Sequence, residues 1–415
     1  MKNYSRFYLS NFNLTDIKIS NVIVIHLYLL ISKNMLISTS DFFFALNDLL
    51  NLAIIGVFLV VYAYLFITSN MLKQVRWAIY IILIISAVFI LVTFISFPER
   101  FTLNVFPFNY VRRNIRSYIA YCLPLFVAIG SLRSVECLLQ KLYDFTIFPY
   151  LFATISFVFS LQPHVEGNYM SYGNAVMFLA IVLLFKSNHT KYIFNLIQFF
   201  TCCIYILVSG SRGSLISILV AFVVYLFINK TIHRRVLLII LTISFGTYFL
   251  LNYEDVIVQL FVILRNIGIE SRTIRLATIG EFFDDSGRAM YHQRLLYKLN
   301  DQPIVGLGAF GGEATVGLAH SIYLDIFANF GYVFGVLFLI YILSRVLQAL
   351  FTRWGTAYTE MILLLSVVVF PLGFVDLSFW DTKELWMLMA LFVHNINFVS
   401  KRQFNYIPLI NKFER

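Results

Sequence analysis

Charge is scarce in this chain: Asp, Glu, Lys and Arg make up 13% of 415 residues, against roughly 25% in soluble globular chains. With 60% hydrophobic residues and a mean hydropathy of +0.82, a water-soluble enzyme is excluded and a polytopic membrane protein is indicated. Cysteine is also rare. Cys122, Cys137, Cys202 and Cys203 show no CxxC spacing, and the last two fall inside an apolar run, which argues against a zinc site or a disulfide framework. There is no DxD pair to hold a divalent metal and no soluble lobe to hold a nucleotide, so a nucleotide-sugar donor is not expected. No repeat of solenoid period and no low-complexity run interrupts the chain, and a single integral-membrane domain over 1–415 is the simplest account. The formal charge of +10 sits mostly in short loops rather than in an aromatic-interleaved basic patch, which argues against nucleic acid as a partner. Residues 1–20 carry Lys2, Arg6 and Lys18 without a small-residue cleavage site, and are expected to remain as a cytoplasmic flank.

Oily runs dominate what is present. Candidate membrane runs lie at 21–37, 49–68, 77–97, 117–132, 146–161, 171–185, 191–208, 213–228, 236–251, 322–343, 357–375 and 383–399. The expected fold is all-α, with about twelve spans of up to about 20 residues each and a long late external loop. The first and fourth runs are the poorest: Lys33 must snorkel out of one, and the other is short. Lys73, Arg76, Arg133, Lys141, Lys186, Lys191, Lys230, Arg234, Arg235, Arg345 and Arg353 fall in alternate loops, with Lys401, Arg402, Lys412 and Arg415 in the tail. That alternation places both termini in the cytoplasm. Three external segments break it: 98–116, with Arg100, Arg112, Arg113 and Arg116; the turn at Arg212; and the loop 252–319. Such arginines read either as interfacial anchors or as ligand contacts. The loop 252–319 is too short for a separate enzymatic domain and is expected to carry part of an active site together with the span ends.

Polar, glycine-rich and titratable residues gather in 286–335. Residues 286–300 read as a short amphipathic helix, capped by Asp285 or Ser286 and stopped ahead of Pro303, with Arg288 in its first turn. Residues 306–311, Gly-Leu-Gly-Ala-Phe-Gly, match the dinucleotide fingerprint by letter, but a polar helix precedes them where that fingerprint needs a strand. A flexible turn beside a bulky ligand is the better reading. His320 is expected to open a helix and to share a face with Tyr323, Leu324 and Phe327.

Upstream, residues 209–214, Ser-Gly-Ser-Arg-Gly-Ser, lie between two oily runs, so Arg212 is expected at the outer mouth of the bundle. Glycine lets a phosphate approach the backbone, and Ser214 near the next helix start adds a hydroxyl. The plain alternative is a hairpin turn whose arginine snorkels. By the topology argument Arg212, Arg288 and His320 fall on one membrane side. Two guanidiniums suit a pyrophosphate, each offering a planar fork of donors, and an imidazole suits proton removal from a sugar hydroxyl near neutral pH. A lipid-linked donor fits these groups, because it carries its own pyrophosphate leaving group.

Residues 286–288 (Ser-Gly-Arg), 303–308 (Pro-Ile-Val-Gly-Leu-Gly), 319–325 (Ala-His-Ser-Ile-Tyr-Leu-Asp) and Gly331, with Gly210-Ser211-Arg212-Gly213-Ser214 upstream, resemble the hallmark regions of the O-antigen ligase and O-antigen or capsule polymerase superfamily. The resemblance covers the chain from about 160 onward and departs at Ser321, where the family often has Asn. It implies a fold like the C-type glycosyltransferases in the bacterial cytoplasmic membrane and an undecaprenyl-pyrophosphate-linked glycan as donor. It also implies metal-independent inverting transfer with no cofactor, with a chain-length regulator and a flippase as further partners. Carried over by motif, Arg212 and Arg288 look like the pyrophosphate-binding arginines and His320 like the acceptor-activating base. Ser214, Tyr323, Arg112, Arg113 and Arg116 are expected substrate contacts. Polymerase is preferred over ligase because no lipid A core-binding feature is visible. A flippase would be expected to carry charge pairs through the bundle interior, and another lipid-linked glycosyltransferase would use Asp41 or Asp48 as base.

Overall fold

A computed structural model describes residues 12–37, 45–68, 75, 77–103, 105–160, 169–189, 192–228, 252–266, 274–275, 278, 287–352, 356–374 and 377–393. Among these the structure is helical, with no strand. The expected run at 236–251, Asp41, Lys73, Arg76, Lys191, Lys230, Arg234, Arg235, Asp285, Ser286, Arg353, most of the first flank and the C-terminal tail lie outside the described residues.

The helices, in order, are α1 (Leu14–Ile37), α2 (Asn47–Thr68), α3 (Trp77–Ser96), α4 (Glu99–Thr102), α5 (Phe108–Ser117), α6 (Leu123–Ser131), α7 (Val135–Asp144), α8 (Ile147–Ser160) and α9 (Tyr169–Lys186). They continue as α10 (Tyr192–Ser209), α11 (Arg212–Ile228), α12 (Tyr253–Asn266), α13 (Arg288–Leu299), α14 (Gly311–Val316), α15 (Ile322–Thr352), α16 (Ala357–Leu372) and α17 (Lys383–Val393). Every expected apolar run that falls among the described residues is helical. Among the described residues, five helices are long and apolar enough to cross a membrane: Leu14–Ile37, Asn47–Thr68, Trp77–Ser96, Val135–Phe159 and Ile322–Phe351. Shorter apolar helices occur at Met170–Lys186, Ile193–Ser209, Arg212–Leu226 and Ala357–Leu372.

Burial follows composition. Helices α9 and α16 are apolar on all sides and lie in the middle of the bundle, with Ile181, Val182, Leu183, Leu184, Leu364 and Leu365 inaccessible. Helices α2 and α3 are equally apolar but expose Leu52, Val60, Ile67, Ile84, Val88 and Ile95, as suits a surface that faces hydrocarbon. Two local features differ from the sequence expectation. The run at 117–132 does not begin at a loop, because a π-helical turn at Tyr118–Cys122 joins α5 to α6. Arg112, Arg113 and Arg116 therefore stand on a helix. Lys33 also does more than snorkel: its ammonium donates to Asn51 Oδ1 at 2.6 Å.

Hydrogen bonds sort the span ends into two groups. At one end His189 Nε2 meets Glu360 Oε1 at 2.8 Å, and Ser187 Oγ lies 2.8 Å from Tyr225 OH. These contacts bring together the finish of α9, the start of α16 and the finish of α11. The start of α11 and the finish of α16 are consequently at the opposite end. There the Gly373 carbonyl accepts from Ile322 N at 2.8 Å.

Candidate functional site

Arg212 is the first residue of α11. Its turn is held by Ser214, whose hydroxyl donates to Asn174 Oδ1 at 2.8 Å and lies 2.7 Å from Ser211 Oγ. The turn rests on α9 at Gly173, where a Cβ would stand 2.2 Å from Ser211 Cβ. Small residues are used here for close approach, and Ser214 is a buried positioning contact of the turn.

Arg288 begins α13, behind Gly287 in the left-handed region at φ 80°. Among the described residues no side chain caps this helix. Arg288 is half-buried, and among the described residues no carboxylate lies within ion-pair distance of it. One turn along α13, the Tyr291 ring sits 5.9 Å from the His320 ring. Arg288 and His320 thus belong to one neighbourhood.

His320 does not open a helix. It has φ 52°, and α15 starts afterwards at Ile322, so the face expected to join His320 with Tyr323, Leu324 and Phe327 does not form. A non-glycine residue at positive φ costs of order 1–3 kcal/mol and persists where its surroundings hold it. Those surroundings are visible. Gly317, at φ 83°, leaves room for Phe106 Cε2, which a Cβ would meet at 2.8 Å. Ser321 Oγ accepts from Leu324 N at 3.5 Å, and Ile322 N is tied to Gly373. Tyr323 points instead to the next helix, donating to Phe370 O at 2.8 Å.

Nor is the glycine-rich turn a flexible platform. Gly306 abuts the α15 kink at Gly331, with a Cβ position 2.4 Å from Gly331 N, and Leu307 N donates to Ala328 O at 2.6 Å. Arg100 donates to Leu307 O at 2.7 Å while its guanidinium stacks 3.9 Å above Phe97. Gly306 thus serves close backbone packing, and Gly308 makes room for the Thr93 side chain.

Of the arginines expected in the segment 98–116, none stands on the stripe of α5 that meets this region. Tyr110 and Asn114 form that stripe, at i and i+4. Arg112 and Arg116 share the opposite side of the helix, and Arg113 and Arg116 are exposed. Asp48 is an exposed first-turn residue of α2.

Sequence reasoning missed the polar cluster beneath the His320 loop. Glu313 and Asp325 are both buried. Asn114 Nδ2 donates to Glu313 Oε1 at 2.7 Å and to Ser378 Oγ at 3.1 Å. Ser378 Oγ also contacts Glu313 Oε1 and, at 3.2 Å, Asp325 Oδ2. Phe379 N donates to Asp325 Oδ2 at 2.7 Å, and Asn329 Nδ2 to Asp325 Oδ1 at 3.0 Å. Burial pushes the Glu313 carboxyl above the ordinary carboxylate range, opposed by the Ser378 and Asn114 hydrogen bonds. A usable signal existed: Glu313 and Asp325 are acids in oily surroundings, where ionisable groups are expensive.

Arg212, Arg288 and His320 thus stand at the same end of the bundle, and Arg288 and His320 are joined through Tyr291. Residues 197–340 match the protein family described as O-antigen ligase, in agreement with the resemblance carried by the motifs. No curated protein matches the chain.

Proposed function

We propose, taking as premise that residues 197–340 are an O-antigen ligase family region, that this protein is a polymerase of surface polysaccharide. It joins undecaprenyl-pyrophosphate-linked oligosaccharide repeat units into O-antigen or capsule at the outer face of the bacterial cytoplasmic membrane. In this reading the chain is one integral-membrane domain of about twelve spans with a C-type glycosyltransferase-like fold. Both termini are cytoplasmic, and residues 252–319 lie outside.

The observation that carries the reading is the common end of the bundle shared by the Arg212 turn, Arg288 and the strained His320 loop. Chemistry supplies the roles. His320 takes the proton of the acceptor hydroxyl as that oxygen attacks the anomeric carbon. The bond from that carbon to the pyrophosphate oxygen breaks on the opposite face, so the configuration inverts. The departing lipid pyrophosphate keeps the electron pair, and Arg212 and Arg288 hold its charge as paired forks. With that charge held, the step calls for neither a metal nor a general acid. A chain-length regulator and a flippase are the partners such a polymerase would meet.

Ligase is the second reading, favoured by the description of the matched family itself. Purified protein given lipid-linked repeat units should yield a ladder of lipid-linked polymer. A deletion strain decides between the readings: loss of a polymerase leaves single repeat units on the final carrier. A bare carrier with accumulating lipid-linked glycan would reverse the assignment to ligase.

A further inference from the structure

Proton counting at Ser378 singles out the buried carboxyls. A hydroxyl carries one proton. Ser378 Oγ receives a donor from Asn114 at 3.1 Å and faces a carboxyl oxygen of each acid, Glu313 Oε1 and Asp325 Oδ2. Its single proton can fill only one of those two contacts. The other needs a proton that belongs to the acids, since two ionised carboxylates around one buried hydroxyl repel. The donors divide unequally. Besides the shared Ser378 hydroxyl, Asp325 receives the Phe379 N–H and the Asn329 amide, itself oriented by Trp380 Nε1 donating to Asn329 Oδ1 at 2.8 Å, whereas Glu313 receives the Asn114 amide at Oε1. Among the described residues, Glu313 Oε2 is buried without a hydrogen-bond partner. The charge therefore belongs on Asp325 and the proton on Glu313.

The two acids flank His320. Glu313 lies on α14 just before the loop and Asp325 on the first turns of α15 just after it. Gly317 N bonds to Glu313 O at 2.9 Å, and Asp325 N to Ser321 O at 3.0 Å, so both roots of the loop are anchored at these residues. At Gly312 a Cβ would fall 2.2 Å from Asp325 Oδ1, so the helices are pressed together at this point.

We propose that Glu313 and Asp325 hold one proton between them and, bridged by Ser378, act as the positioning pair that fixes the His320 loop for the transfer reaction; the assignment rests on the reaction inferred above. Neither acid touches substrate. Below its folded pKa the pair keeps its proton and stays closed. As pH rises through that pKa, Glu313 ionises, two like charges face each other across Ser378, and the loop loses its anchor. Activity should therefore fall on the alkaline side. Other titratable and charged groups on the elements packed around α14 are Tyr110, Arg112, Arg113 and Arg116 of α5 and Arg288, Tyr291, His292, Arg294 and Lys298 of α13. Tyr297 of α13, Tyr323, Tyr332, Tyr341 and Arg345 of α15, His320 itself and Asp381 complete the set. All of them remain when Glu313 alone is changed.

Two measurements test the pair. Infrared spectra of purified protein at neutral pH, in water and in heavy water, should show a carboxylic-acid carbonyl band that disappears in Glu313→Gln. Identical spectra would overturn the shared proton, whatever reaction the protein catalyses. With lipid-linked oligosaccharide as donor, Glu313→Ala should lower kcat about 100-fold at unchanged KM, the scale of a misplaced catalytic group. Glu313→Gln, whose amide can donate to Ser378 as the acid does, should recover most of that loss and lack the alkaline limb. Ser378→Ala should lower kcat in the same direction. An alkaline limb that survives in Glu313→Gln, or an unchanged kcat in both Glu313→Ala and Ser378→Ala, refutes the positioning role. An infrared band lost on schedule in a protein that forms no polymer would instead count against the polymerase reading and leave the proton pair standing.

Discussion

Replacing Gly173 by alanine tests whether the position of the Arg212 turn matters. Helix propensity alone predicts a gain of about 1 kcal/mol from this change. Packing predicts the reverse. The new Cβ would stand 2.2 Å from Ser211 Cβ, 2.7 Å from Ser211 Oγ and 3.3 Å from Ser214 Oγ. Ordinary contact begins at 3.4 Å, so one partner must retreat by 3.4 − 2.2 = 1.2 Å. Helix α9 cannot give way, because Val176, Leu179, Ala180 and Leu183 along it are inaccessible and a close-packed interior transmits strain. The turn moves instead, carrying Arg212 with it. Overpacking of this kind costs about 1–3 kcal/mol, while displacement of a positioning group by about 1 Å costs about 100-fold in rate. Gly173→Ala should therefore show a modest fall in Tm and a loss of about 100-fold in kcat/KM on lipid-linked donor, with normal membrane insertion. Adding Ser211→Gly removes the two atoms with the closest approach, and the double variant should regain most of the loss. Full activity in Gly173→Ala, or no recovery in the double variant, would refute the link between this close approach and the arginine.

Arg212→Lys and Arg288→Lys keep the charge and lose the bidentate fork, so turnover should fall substantially at normal expression; full activity in both would leave the arginines as interfacial anchors. His320→Ala should retain donor binding, measured by a lipid-pyrophosphate analogue, while turnover falls about 100 to 10,000-fold. His320→Gln should not rescue it, and the unmodified rate should persist in EDTA; a fully active Gln variant would end the general-base assignment. Orientation is tested with cysteines in spheroplasts: Asp301→Cys, exposed beside α13, should react with an impermeant thiol reagent, and His189→Cys, at the other end of the bundle, only after lysis. The opposite labelling would invert the topology.

Apolar runs were legible because length and composition decide them: the helices Asn47–Thr68, Trp77–Ser96 and Tyr169–Lys186 follow the runs at 49–68, 77–97 and 171–185 closely, whereas the first helix, Leu14–Ile37, starts seven residues ahead of its run. In the sequence Arg212 and the loop that holds Arg288 stand out as exceptions to the charge pattern, and His320 by its place in the polar, glycine-rich stretch. Their surroundings do not. The stretch 306–311 reads as a loose turn because glycine's use at Gly306 depends on Gly331 arriving against it. His320 was expected on a helix because Tyr323, Leu324 and Phe327 follow it at helical spacing, and nothing local reports a φ of 52°. Glu313 and Asp325 meet only through Ser378, far along the chain. Patterning within one element cannot register a hydrogen bond between elements. The π-helical turn at Tyr118–Cys122 hid the continuity of α5 and α6 for the same reason.

The order of synthesis gives the Ser378 bridge a further consequence. The family match ends at residue 340, yet Asp325 takes donors from Ser378 and Phe379, and Ile322 is anchored on the Gly373 carbonyl. Asn114, supplied much earlier, waits on the same cluster. While the ribosome is still adding residues short of 380, the His320 loop has neither its floor nor its far anchor. A chain stopped after α15 would carry every hallmark motif and still leave Asp325 without the Ser378 hydroxyl and the Phe379 N–H. The His320 loop thus acquires its full set of anchors only once Gly373, Ser378 and Phe379 have arrived behind α16.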